Sequence, residues 1–460
     1  MADSLPTSST ENVMLSAVPG HTEEQSQDAR LRKLAPRPVK LEDCGVPQTY
    51  LSELLTRHLL EAGVLPSTQL TQRLALASPV VEALLDIMRS ESLVEVLSPG
   101  PEGHSLRYQL TDRGRAYAMD SQLRDGYVGP APIPMEHYIK VLSAQSVHQH
   151  RLTCGAMHQT FSDIVIDRGL LDQIGAAMQS GRGIFIYGAA GTGKTYIAQR
   201  LSRMLGDLIL VPHAIFVGDI ALQLYDPAIH KPFESQPDGS VLMLDKLFDS
   251  RFVLCHRPTV ISGGELTLDD LEVQYDSASR QSQAPLHLKA SNGIYMIDDL
   301  GRQRVSTSEL FNRWIVPLEE RHDYLTLRSG RRFQVPFDVI LIFSTNLDPG
   351  KLADDAFLRR LGHKIRFEGP SRENYTLIWK QVCASNGIPF DQELLRFLFE
   401  DLYGKSDKPM LPCHPRDLLG IALDHARYMG SEGDLNQAYL EIAWRNYFGI
   451  FGFTEAARTF

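Results

Sequence analysis

Residues 188–195 read Gly188-Ala189-Ala190-Gly191-Thr192-Gly193-Lys194-Thr195, a G-x-x-x-x-G-K-[ST] run that follows the apolar stretch Gly183-Ile-Phe-Ile-Tyr187. The spacing has a chemical reason. Small residues let successive backbone N–H groups curl around a phosphate, and the start of the helix continuing through Tyr196 adds partial positive charge. The Lys194 ammonium has the reach to meet β- and γ-phosphates, and the Thr195 hydroxyl is a hard oxygen ligand suited to Mg2+. Placed between a strand and a helix, the run implies a nucleoside triphosphate held by residues 188–196.

A phosphate cradle of this kind needs a carboxylate at the end of a second buried strand to hold the metal. Gly293-Ile-Tyr-Met-Ile-Asp298-Asp299 supplies two. Asp298 is expected to hold Mg2+, mainly through water, and Asp299 to polarise the attacking water. A third apolar strand, Val339-Ile-Leu-Ile-Phe-Ser-Thr-Asn346, ends in polar residues.

The elements that must position these groups follow from the apolar pattern. Residues 1–46 are rich in Ser, Thr, Glu, Gln and Pro and read as a disordered tail. From Tyr50, helices are expected over Leu51–Leu59 and Ser67–Ala77. A third is expected over Pro79–Glu91, with Val80, Leu84, Leu85 and Met88 facing inward. Two short strands, Leu93–Leu97 and Leu106–Leu110, then flank a Pro/Gly turn at 99–103, and a further helix opens at Thr111. That order over 47–125 resembles a winged helix-turn-helix domain. DNA binding is nonetheless disfavoured against protein docking. The third helix carries Glu82, Asp86 and Glu91 against Arg89, and the turn holds Glu102, whereas phosphate contacts call for a basic surface. Residues 126–150 form a proline-rich linker and a bridging helix.

The bulk numbers narrow the class. A net charge of -10 argues against general affinity for nucleic acid. The 43% apolar and 22% charged content fits a globular protein. Five scattered cysteines contain no C-x-x-C pair, so neither a disulfide framework nor a structural zinc is expected, and a reducing, cytoplasmic location fits. No apolar run approaches the ~20 residues that span a bilayer, and the start of the chain lacks a secretory pattern.

From about Thr160 to Tyr447, with Asn346 closing the third strand, the chain resembles the AAA+ ATPases. The resemblance implies ATP and Mg2+ as cofactors and gives Asn346 the sensor-1 task of placing the lytic water. Ala356-Phe-Leu-Arg-Arg-Leu361 is similar to the segment carrying an arginine finger, so Arg359 or Arg360 is expected to reach the γ-phosphate in an adjacent subunit. His414-Pro-Arg416-Asp-Leu-Leu419 resembles sensor 2 and assigns Arg416 to nucleotide contact. Asp299 departs from the Glu usual in the family. One methylene less draws the base back by about 1.5 Å, and slow hydrolysis follows as an alternative. Residues 319–336 read as a hairpin before the Asn346 strand and resemble the pre-sensor-1 insertion of MoxR-type chaperones and magnesium chelatase. Gly263-Gly264 could be a pore or partner loop, or the turn before a capped helix. The run Gly263-Gly-Glu-Leu, Asp298–Gln303, Asn312–Pro317 and Phe357–Arg360 is similar to a bacterial group of ATPases with chaperone activity associated with Flp pilus assembly.

The expected architecture is α/β. A P-loop AAA+ parallel-sheet core at 151–370 is followed by a C-terminal helical lid at 371–460 and preceded by the winged-helix-like α+β domain. The implied activity is ATP hydrolysis by a homo-oligomeric, commonly hexameric ring that remodels a protein partner engaged through 47–125. A DNA-associated ATPase and an ATP-binding scaffold are the alternatives.

Overall fold

Five strands run parallel at the centre of the nucleotide-motif region: β1 (Ile184–Tyr187), β2 (Thr259–Ser262), β3 (Ile294–Ile297), β4 (Ile340–Thr345) and β5 (His363–Arg366), in the order β2-β3-β4-β1-β5. Their sequences are near-continuous apolar runs because helices and loops cover both faces. β3 and β4 are buried along their whole length. One face carries Ile184, Ile186, Met296 and Ile342, and the other Phe185, Tyr295, Trp314 and Phe343. The registers Ile297↔Phe343 and Thr345↔Tyr187 place the carboxyl ends of β3, β4 and β1 side by side. Crevices outside strand carboxyl ends are where open α/β sheets bind ligands.

The computed structural model describes residues 30–98, 105–149, 151–233, 248–352, 355–431 and 435–449. They divide into two compact units. One takes the described residues up to Ser121 with 128–133 and 248–252. The other takes Gln122–Tyr127, 134–233 and the rest from Val253 onward.

In the first unit the expected helices appear as Gln48–Ala62, Ser67–Leu74 and Ser78–Ser90, and the strands as Val94–Leu97 and Arg107–Leu110. Val80, Leu84, Leu85 and Met88 are all fully buried, as their spacing requires. A short strand absent from the sequence reading, Val64–Pro66, pairs antiparallel with Arg107–Leu110 and makes the sheet three-stranded. The turn at 99–103 with Glu102, and residues 1–29, lie outside the described residues.

Residues 30–46, read as part of a disordered tail, are folded. Leu31, Ala35, Cys44 and Val46 are buried, and the reason is a charged anchor. Arg251 and Asp249, 1% and 0% exposed, form an ion pair at 2.8 Å. Arg251 Nη1 donates to Cys44 O at 2.9 Å and Pro132 O at 3.2 Å, and Asp249 N donates to Ala35 O at 2.9 Å. A buried pair is tolerated only when its remaining valences are met, and here they tie three stretches of chain together.

In the second unit the expected pre-β4 hairpin is present, with His322–Thr326 antiparallel to Arg332–Pro336. Arg313 clamps its root through Asp323 at 2.8 and 2.7 Å. The long step between β1 and β3 forms further strands, including Ala214–Val217, Ile220–Gln223, Gln274–Asp276 and Gln281–Gln283. Gly263-Gly264 leads into a single 3-10 turn, Asp269–Leu271, and no α-helix follows it there.

The lid helices are Arg372–Ser385, Gln392–Phe397, His414–Tyr428 and Gln437–Phe448, with a wider π-type turn at Leu398–Tyr403. Leu394, Leu395, Leu398, Leu418, Leu419 and Ala422 are buried between these helices, while Phe397 is only half-buried. His414 sits in this core, its Nδ1 2.6 Å from the Tyr403 hydroxyl. Burial pushes its pKa down to about 4, against a weaker opposing pull from Asp417. The unfolded chain takes up a proton near pH 6.5, whereas the folded lid resists until about 4, so stability falls as pH drops across that window. At about 1.4 kcal/mol per unit the loss approaches 2–3 kcal/mol. Denaturant midpoints measured from pH 7 to 4 are expected to fall for the wild-type chain and to flatten in His414→Leu.

Candidate nucleotide site

The loop joining β1 to the helix Lys194–Ala198 takes backbone conformations that explain its glycines. Gly188, Gly191 and Gly193 have φ of 149°, 82° and 90°. A Cβ on Gly188 would stand 2.2 Å from Phe367 O, and one on Gly191 2.6 Å from Cys413 Sγ. Ala189, Ala190 and Gly191 are exposed, while the Thr192 hydroxyl closes the turn on Ala189 O at 2.9 Å.

Lys194 is 6% exposed, and its ammonium donates to Gly188 O and Ala189 O, both at 2.9 Å, and to Asn346 Oδ1 at 2.6 Å. Burial presses its pKa below the ordinary lysine value, and the nearby Asp298 and Asp299 carboxylates oppose that shift. Asn346 Nδ2 in turn donates to Asp299 Oδ1 at 2.9 Å. The Thr195 hydroxyl lies 2.5 Å from Asp298 Oδ2, a pair of hard oxygen donors of the type Mg2+ selects. Residues from the ends of three strands, among them Lys194, Thr195, Asp298, Asp299 and Asn346, thus meet at one point.

Asp299 has φ of 48°, a left-handed conformation. Asp and Asn tolerate that region through their short polar side chains, and longer residues do so less readily. This is a backbone reason for Asp where Glu was the expectation. The turn is held by Gln303, whose amide donates to Asp298 O at 2.9 Å and to Asp299 O and Gly263 O at 3.3 Å. The Thr345 hydroxyl donates to Leu300 O at 2.8 Å. Neither was singled out from sequence, although both fall inside the recognised motifs.

The other expected residues lie on other elements. Arg359 and Arg360 lie on the helix Asp355–Arg360, where Arg359 is exposed and Arg360 Nε contacts Glu319 Oε1 at 2.5 Å. Arg416 is largely exposed and engages its neighbour Asp417 at 3.0 Å. From the C-terminal helical region, Cys413 and Leu411 pack against Gly191. Tyr196 is half exposed and lies under the Arg200 guanidinium, 3.4 Å from the ring centre.

The lid, residues 371–446, matches a family model described as a domain of unknown function, DUF8689. No curated protein matches the chain. Among solved structures, the Thermotoga maritima RuvB Holliday junction branch migration motor aligns at 9% identity, TM-score 0.36, over 63% of this chain and 72% of that one. Domain III of the replication initiation protein DnaA from Thermotoga maritima aligns at 17% identity and TM-score 0.35, covering 65% of this chain and 98% of that one. NtrX from Brucella abortus aligns at 13% identity and TM-score 0.38, over 73% and 61%. The fold class, α/β with a parallel five-stranded sheet, stands on the sheet order described above.

Proposed function

We propose that this chain is an AAA+-type ATPase. In this reading it binds ATP with Mg2+ between copies of itself in a homo-oligomeric ring and uses hydrolysis for chaperone-like remodelling or assembly of a protein partner. The observation that supports this most is the hydrogen-bonded line Lys194–Asn346–Asp299 lying beside the Thr195–Asp298 pair. On this reading the backbone of 188–195 cradles the phosphates and Lys194 turns from its loop carbonyls to the β- and γ-phosphate oxygens. Thr195 and Asp298 hold the metal, which neutralises charge on those oxygens when bound. Asp299 accepts a proton from the attacking water, and Asn346 fixes both that carboxylate and the lysine. Arg359 or Arg360 completes the charge stabilisation in a neighbouring copy, and the lid, joined to the loop at Gly191, carries the nucleotide state outward.

The short Asp299 side chain and its left-handed backbone favour one second reading, a scaffold that binds ATP and barely hydrolyses it. Asp299→Asn keeps the backbone geometry while removing the base. It is expected to retain ATP affinity and lose turnover by about 10²–10⁴-fold, the usual worth of general-base catalysis. Steady-state phosphate release with equilibrium binding checks this. Undiminished turnover in Asp299→Asn removes the assignment, and a wild-type chain that binds ATP without turnover establishes the scaffold. A DNA-associated role through 47–125 gains no support from the helix Ser78–Ser90, where Glu82 and Asp86 are exposed, Glu91 is exposed just past its end, and Arg89 lies 3.7 Å from Asp86.

A further inference from the structure

Behind the phosphate loop, the helix Cys154–Thr160 packs beside the helix Arg168–Ser180, and their facing surfaces carry Cys154, His158 and Asp172. Cys154 and His158 are one helical turn apart and so share a face. Cys154 Sγ stands 3.2 Å from Asp172 Oδ1 and 3.7 Å from His158 Nε2, and His158 Nε2 stands 2.8 Å from the same carboxylate oxygen. A tetrahedral zinc with bonds of about 2.0–2.3 Å requires donors about 3.3–3.6 Å apart. Each pair here is within about 0.5 Å of that spacing, so rotamer adjustments alone can admit the ion.

We propose that Cys154, His158 and Asp172 form a binding site for a zinc-class divalent cation, distinct from the Mg2+ expected at Thr195 and Asp298. The donor set decides the class of ion. A thiolate with an imidazole suits zinc and its softer relatives, whereas Mg2+ and Ca2+ take oxygen ligands. Binding replaces the thiol proton, which leaves to solvent, and the neutral imidazole donates its Nε2 lone pair. Three protein ligands leave a fourth position for water, since Cys154 and Asp172 are exposed at the surface. A nucleophilic reading of the same trio is weaker, because the closest partner of the thiol is a carboxylate and not the imidazole that would have to take its proton.

The site would act as a clip. It closes the segment 161–167 between the two helices. Met157 and Phe161 from the first helix and its end, and Leu171 and Ile174 from the second, pack in the same cluster as Ile197, Ala198 and Leu201 behind the loop. Sequence spacing gave no hint of it, since Asp172 comes from a different helix and no second cysteine is near.

The test uses the full chain and cobalt(II) as a spectroscopic probe, with zinc competing. Wild-type protein is expected to bind one cobalt with a thiolate-to-metal charge-transfer band that zinc abolishes. Cys154→Ser should lose that band, and His158→Asn and Asp172→Asn should each weaken cobalt affinity by about tenfold or more. Cys413→Ser should leave the band intact. Zinc should also raise the melting temperature of the wild-type chain and not of Cys154→Ser. A wild-type chain without the band, or a band that survives Cys154→Ser, overturns the proposal. All three side chains lie at or near the surface, so the variants are expected to fold, which the melting curves verify.

Discussion

Lys194→Ala is expected to reduce ATP turnover by about 10²–10³-fold or more, the cost of removing one preorganised charge donor from a transition state, roughly 2.7–4 kcal/mol. The structure says why the effect should be large. The ammonium is buried and bonded to two loop carbonyls and to Asn346, so its loss would deprive the proposed phosphate site of its charge partner and also leave Gly188 O and Asn346 Oδ1 without this donor, while Ala189 O keeps the Thr192 hydroxyl. Steady-state hydrolysis against protein concentration measures it, with a thermal melt to confirm folding. Turnover within a few-fold of wild type would remove the phosphate loop from the mechanism.

The second large effect concerns the arginine proposed to reach the site of a neighbouring copy. Arg359→Ala is expected to lower turnover by about 10³–10⁵-fold, the range for an arginine finger, while ATP binding stays within a few-fold. Arg360→Ala should do less, because that side chain is engaged with Glu319. Mixing provides the sharper readout. Lys194→Ala and Arg359→Ala, each inactive alone, should regain part of the turnover when combined, since some shared sites then draw a sound loop from one copy and a sound arginine from the next. Two inactive proteins that stay inactive together, in an assembly shown to exchange subunits, would place the arginine outside the site.

Legibility in the sequence followed the physics. The loop between β1 and its helix and the two acids ending β3 were readable because residue types at fixed spacing mark both. The central strands were readable because burial on both faces leaves unbroken apolar runs. The left-handed Asp299 was harder, since a conformation is not written in residue order, although Asp in place of Glu was its visible trace. The Arg251–Asp249 anchor was hidden for a different reason. It draws 30–46, 128–133 and 248–252 together through one buried ion pair, and no periodicity marks such a contact. Val64–Pro66 was too short to show alternation. Arg416 was chosen by likeness to a motif, and Leu411 and Cys413, which pack on Gly191, had no such signal.

The contact between Gly191 and Cys413 makes the thiol a built-in proximity gauge. Its sulfur occupies the space that any larger residue at 191 would claim, so the loop and the first turn of the lid helix cannot part without uncovering it. The rate at which an alkylating reagent reaches the half-buried Cys413 is therefore expected to rise whenever this contact loosens, a readout on the native polypeptide with no foreign label attached.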